Sequence, residues 1–126
     1  MPADPLPKLS QNHAELLVLS VLAEGASYGY AVTKAIDARS EGSFAMGPAK
    51  LYPLLARLEK QGLVTTSWEE VKAEGADEDA AGRRRKWYTL SSKGRRRLEQ
   101  HVEAHRRFTA LIDAFILPAE SIGSMA

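Results

Sequence analysis

Pro48-Ala49-Lys50-Leu51-Tyr52-Pro53-Leu54-Leu55-Ala56-Arg57-Leu58-Glu59-Lys60-Gln61-Gly62-Leu63-Val64 reads as one amphipathic helix followed at once by a strand. Proline in the first turn removes an amide that has no helical partner in any case. Leu51, Leu55 and Leu58 follow the i, i+4, i+7 spacing of a buried helix face. The 100° step then points Ala49, Pro53, Ala56 and Lys60 away from the core, with Lys50 and Arg57 on one flank and Tyr52 on the other. Gly62 ends the helix.

Downstream, Val64, Thr66 and Trp68 alternate with Thr65, Ser67 and Glu69, so Leu63 to Val71 is expected as a strand. Residues 72–82 are polar and acidic and form a connection. Arg83 to Leu90 is a second strand, with Trp87 and Tyr88 supplying aromatic strand propensity. The two strands pair as a hairpin. Ser91 or Ser92 caps a final helix that is expected to reach about Leu117, where Pro118 stops it.

Upstream, residues 1–12 hold three of the six prolines and read as a flexible arm. A first helix is expected from His13 to Ala23, capped by Asn12 and closed by a left-handed Gly25. A second runs from Tyr28 to Arg39 with Ser27 as its cap. Ser40-Glu41-Gly42 breaks the pattern, and Ser43 to Met46 is a connector with room for one strand residue pair.

The chain has 126 residues, 44% of them hydrophobic and 26% charged, and these values fit one soluble domain. It has no cysteine, which excludes disulfides and thiolate metal sites. The longest apolar run, Ala14 to Ala23, is interrupted by Glu15 and Ser20 and falls short of the roughly 20 residues a membrane span needs. Met1-Pro2-Ala3-Asp4-Pro5 has no signal-peptide pattern, so a cytoplasmic location is expected. The net charge of +1 hides an asymmetry. Glu69 to Asp79 carries six acids and one base, whereas Arg83 to Arg107 carries ten bases against Glu99 and Glu103. A basic stretch of that length points to a polyanionic partner, or else to a solvated helix face.

Three short helices, a hairpin and a long helix make a mainly α fold with a small β-hairpin. The pattern is a winged helix-turn-helix over residues 13–90, a C-terminal dimerisation helix over 91–117 and a tail over 118–126. In such a fold the third helix enters the major groove of a double-stranded DNA operator. The expected contacts on it are Pro48, Ala49, Lys50, Tyr52, Pro53, Arg57 and Lys60. Tyr28 joins them at the start of the second helix, where free amides face a phosphate. The wing adds Arg83, Arg84, Arg85 and Lys86. Lys50 has no core role available, but several others have a blander alternative. Tyr52 packs under the wing, Arg57 bridges to Glu59 or Asp37, Tyr28 packs through its ring, and Trp68 and Trp87 are hairpin packing residues. The acidic residues 74–79 either bow away from the duplex or neutralise the arginines until DNA competes.

The final helix would span about 37 Å over roughly 25 residues, more than so small a domain can cover. Its stripe of Leu98, Val102, Phe108, Leu111, Ile112, Phe115 and Ile116 therefore seeks a partner, expected to be the same helix of a second chain. His101 and His105 share one helix face, yet two ligands do not make a metal site, and no metal or cofactor is expected. No nucleophile elbow or phosphate-cradling glycine loop is present, which argues against an enzyme. Two other functions fit the same elements: a winged helix that docks another protein, and a small-molecule-binding dimer.

Ser27-Tyr28-Gly29-Tyr30, the block from Pro48 to Val64, and Arg85-Lys86-Trp87-Tyr88-Thr89-Leu90 with Gly94 resemble the PadR family of transcriptional regulators. The resemblance covers residues 14 to 100, and the single C-terminal helix is similar to the small PadR subgroup. It implies repression by a dimer whose C-terminal helices pack across a two-fold axis. It also implies that a planar aromatic or drug-like effector can bind between those helices, with Phe108 and Phe115 as candidate lining. The family usually has glycine and then threonine or serine before Leu-Tyr-Pro. Here Ala49 and Lys50 stand in those places, so operator preference does not transfer from relatives.

Overall fold

The structure is a computed structural model and describes residues 9–71 and 83–125, with side chains of the last helix described through Ile116. Along the chain come α1 (Gln11–Leu22), β1 (Ser27–Tyr28), α2 (Gly29–Arg39), α3 (Pro48–Lys60), β2 (Val64–Val71), β3 (Arg83–Leu90) and α4 (Ser92–Met125). The strands form one antiparallel sheet in the order β1-β3-β2. Of the arm expected at residues 1–12, residues 1–8 lie outside the described residues, as does the acidic connection at 72–82. Leu9 packs against the core, Ser10 caps α1, and Gln11 and Asn12 begin it.

α1 starts earlier than its apolar run suggests. Ser10, not Asn12, is the cap: its backbone is extended and its Oγ accepts the His13 amide at 3.0 Å. Val18, Leu19 and Leu22 of α1 fill the core with Val32 and Ile36 of α2 and the leucines of α3. Gly25 has φ 155°, outside the left-handed helical well expected for it, because the helix has already closed through Ala23, Glu24 and Gly25 amides bonded to Leu19, Val21 and Leu22 carbonyls.

The third strand is β1. Ser27 pairs with Tyr88 and Tyr28 with Trp87, so Ser27 is a strand residue and not the cap of α2. Tyr28 precedes α2 with extended backbone and no side-chain cap. Residues 43–46 form no strand. Their role is packing, with Met46 buried in the core and the Phe44 amide bonded to Ser40 Oγ at 2.9 Å.

α3 follows the spacing of its leucines: Leu51, Leu55 and Leu58 are fully buried, joined by Leu54. It closes with the Leu63 amide on the Leu58 carbonyl at 2.9 Å and Gly62 at φ 75°. The hairpin register runs from Val64 opposite Leu90 to Val71 opposite Arg83, which sets Glu69 across from Arg85 and Glu70 across from Arg84. Opposite charges directly across a ladder favour that register.

α4 is capped by Ser91, whose Oγ accepts the Gly94 amide at 2.9 Å while donating to the Gly62 carbonyl at 2.7 Å. Its first turns lie hard against the α3–β2 turn: a Cβ on Gly94 would stand 2.0 Å from the Leu63 carbonyl oxygen. Leu98, expected at a dimer interface, packs against this chain's own core. From Phe108 to Ile116 the stripe is exposed, Phe108 at 62% and Phe115 at 84%. The helix does not stop at Pro118 but runs to Met125, so the expected tail begins inside it. A proline removes only its own bond to the i−4 carbonyl, and the turns on either side keep theirs. Pro53 within α3 is a second instance.

Candidate nucleic-acid interface

The outward row of α3 is where the leucine spacing put it. Pro48, Ala49, Lys50, Tyr52, Pro53, Ala56 and Lys60 are all exposed, on the side opposite the buried leucines. Two small residues, Ala49 and Pro53, leave the helix backbone accessible, and the longer side chains flank them.

On one flank, Tyr52 leans over the start of α2. A Cβ at Gly29 would meet the Tyr52 hydroxyl at 2.7 Å, so glycine is what lets the two helices approach there. The ring packs on Gly29 of α2, and the residue is still half-exposed. With Tyr28, Tyr30, Trp68, Arg84, Arg85, Lys86 and Tyr88 it lines a cleft of about 360 Å³ between α2, α3 and the wing.

On the other flank, Lys50, Pro53 and Arg57 line a shallow groove of about 270 Å³ with Leu9, Ser10, Gln11 and Ala14. Arg57 was expected to bridge to Glu59 or Asp37 if not to DNA. Its ion-pair partner is instead Glu15 of α1, with Nη2 3.7 Å from Oε1. Residues two apart on a helix face different directions, which keeps Glu59 away from it.

Exposure sets Arg84 and Arg85 apart from Lys86 on the wing. Arg84 is exposed, with its guanidinium 4.8 Å from the Trp68 ring centre, and Arg85 is exposed, 4.7 Å from that of Tyr28. Both distances are those of cation–π contacts. Lys86, expected among the phosphate contacts, is half-buried and committed elsewhere: its Nζ donates to Glu59 Oε1 at 3.0 Å. Thr66 Oγ1 donates to the other Glu59 oxygen at 2.7 Å. The Thr66 hydroxyl and then the Lys86 ammonium hold the Glu59 carboxyl below the usual carboxylate value. Burial pushes the Tyr88 hydroxyl up, with the Lys86 ammonium opposing it. The Arg83 side chain lies outside the described residues. Trp87 meets Tyr28 edge-on at 5.4 Å and donates to Glu69 at 2.6 Å, the packing role expected of it.

Away from this face, His101 bonds to Glu15 and His105 lies edge-on to His13, with ring centres 5.9 Å apart. Among the described residues no cluster of three or more histidine or acidic side chains is placed to hold a metal ion. Glu15 was missed as a structural centre. Its signal was present in the sequence, as a charge interrupting the apolar run from Ala14 to Ala23.

A three-helix head with an antiparallel wing and an open, cation-flanked third helix is a winged helix-turn-helix, a fold of DNA-binding proteins. The model of the PadR-like family of transcriptional regulators matches residues 18–100, and the chain belongs to that family. Members are transcriptional regulators, not enzymes. A PadR family transcriptional regulator from Eggerthella lenta superposes with a TM-score of 0.62 at 32% identity, over 82% of this chain and 80% of that one. A transcriptional regulator from Clostridium thermocellum superposes with a TM-score of 0.69 at 26% identity, over 84% and 95%. Protein X of Lysinibacillus sphaericus, itself uncharacterised, is 27% identical over 84% of this chain and 90% of its own length. The match to the Escherichia coli transcriptional regulator YqjI spans 29% of that longer protein. No helix among the described residues is long and apolar enough to cross a membrane.

Proposed function

We propose that the protein is a cytoplasmic, homodimeric, sequence-specific repressor that reads double-stranded DNA with α3 and grips phosphates with Arg84 and Arg85. The observation that carries this reading is the convergence of Tyr28, Tyr52, Arg84 and Arg85 on one cleft beside the open row of α3. Lys50 and Arg57 flank that row on the far side. Base edges then meet α3 while arginines on either flank meet the backbone, the division of labour usual at protein–DNA contacts.

The exposed stripe from Phe108 to Ile116 supports pairing of α4 with α4 of a second copy. That pairing would carry two α3 helices to half-sites about 34 Å apart. A planar aromatic effector bound between the paired helices, against Phe108 and Phe115, would relieve repression by favouring a dimer of different spacing.

Selection of duplexes from a random-sequence library, followed by fluorescence anisotropy on the enriched duplex, tests the reading. Affinity should fall steeply with salt, and Lys50→Ala should weaken binding about tenfold while relaxing preference at the base pairs it meets. Failure to enrich any duplex at moderate salt would overturn the reading. So would an affinity indifferent to both salt and Lys50.

A further inference from the structure

Glu15 is the one charged side chain buried among the described residues, and it stands where three helices meet. It belongs to α1. Its Oε1 is 3.7 Å from Arg57 Nη2 on α3, and its Oε2 is 3.6 Å from Arg97 Nη1 on α4 and bonded to His101 Nε2, also on α4. A carboxylate taken out of water needs such partners, and removing one strands the rest. Arg57 has no rival acid on its own helix, because Glu59 is held by Thr66 and Lys86.

We propose that Glu15 is a positioning residue for DNA recognition, seating the Arg57 guanidinium on the Lys50 flank of α3 so that its free edge meets a phosphate. A guanidinium has five donors, and one carboxylate oxygen at ion-pair distance leaves most of them unused. The Arg57 side chain is 39% exposed, so those donors reach solvent. An arginine already held in one orientation loses less freedom on binding than a mobile one. Because His101 and Arg97 hold the same carboxylate, the seat of Arg57 moves with the helix that carries the exposed stripe. The charge between Ala14 and Leu16, within a mostly apolar run, is thereby given a use.

This inference rests on the DNA-binding reading, and one experiment separates the two. The probe is the duplex enriched by the wild-type protein from a random-sequence library. Glu15→Gln, which keeps the shape and removes the charge, should weaken binding roughly tenfold, as should Arg57→Ala; the double variant should bind no more weakly than Arg57→Ala alone. Circular dichroism and urea unfolding establish that each variant is folded. Should Glu15→Gln fail to fold, Glu15→Asp serves in its place, since it keeps the charge and shortens the reach; its smaller loss should likewise vanish in the Arg57→Ala background. An equal loss with and without Arg57 would mean that Glu15 only holds α1 to α4, and the proposal falls. It falls equally if Glu15→Gln leaves binding unchanged or tightens it, because the carboxylate would then be idle or a competitor. If the wild type enriches no duplex, the DNA-binding reading fails and takes this inference with it. If it does enrich one and the Glu15 variants are silent, this inference alone fails.

Discussion

α3 and α4 are written in the same code and end in opposite circumstances. Each sets an apolar stripe at helical spacing, with charged residues off that stripe. In α3 the stripe vanishes into the core, with Leu51, Leu55 and Leu58 fully buried. In α4 only the first turns do so, through Leu98, and the apolar stripe from Phe108 to Ile116 stands in solvent. Periodicity therefore reports that a face exists, and says nothing of which molecule covers it. The answer comes from length: α3 has 13 residues and ends where the core ends, whereas α4 has 34 and outruns it.

That difference should be visible in how the two stripes fail. Leu55→Ala should lower the unfolding free energy by about 3 kcal/mol, since it opens a cavity in a fully packed site. Urea titration should give the same loss at every protein concentration. Ile112→Asp combined with Phe115→Asp should leave the unfolding free energy of the dilute chain within about 0.5 kcal/mol of the parent's. Sedimentation should instead show the dimer dissociated, and operator affinity should drop about a hundredfold as the second half-site loses its effective concentration. If the double aspartate variant loses as much monomer stability as Leu55→Ala, the contrast between the helices is wrong.

Smaller effects sharpen the same contrast within the wing. Arg84 is exposed and Lys86 is engaged with Glu59, so only the first should register as a phosphate contact. Arg84→Ala should lower the salt slope of binding by about 0.9 and cost a few-fold in affinity. An unchanged slope would remove Arg84 from the interface. The Thr66–Glu59–Lys86 tie should show itself through pH. The Glu59 carboxyl is held below its ordinary value, so its contribution is present above that value and disappears as pH falls through the lowered one. Wild type and Glu59→Gln should therefore differ in stability near neutrality and converge in acid. A gap that persists in acid would assign the effect to something other than this carboxylate.

How much of this was legible beforehand depends on the reach of each interaction. The leucine spacing of α3, the close of that helix at Gly62, the pairing of β2 with β3 and a serine cap on α4 are all local, and the sequence displays them. β1 is two residues long, too short for any period to register, and it exists only because β3 is there to pair with it. Alternation sets Arg84 and Lys86 on one face of β3 and Arg85 on the other. That Lys86 is the member Glu59 engages depends on where α3 lies, which no local pattern states. The Glu15 cluster joins residues 86 positions apart, at His101, and sequence order offers no sign of such a meeting beyond the misplaced charge itself. Pro118 was read by its local cost, which the helix on either side absorbs.

Gly94 makes the join between α4 and the α3–β2 turn into a fulcrum, because the Leu63 carbonyl sits where a side chain would begin. A helix of 34 residues is a lever of about 50 Å, and a tilt of about 5° at its base sweeps the far end through about 4 Å. In a paired molecule the bare Cα at that pivot would act like the hinge pin of a pair of callipers. A wedge no larger than one methyl group would reset the gap between the jaws while leaving each jaw's edge untouched.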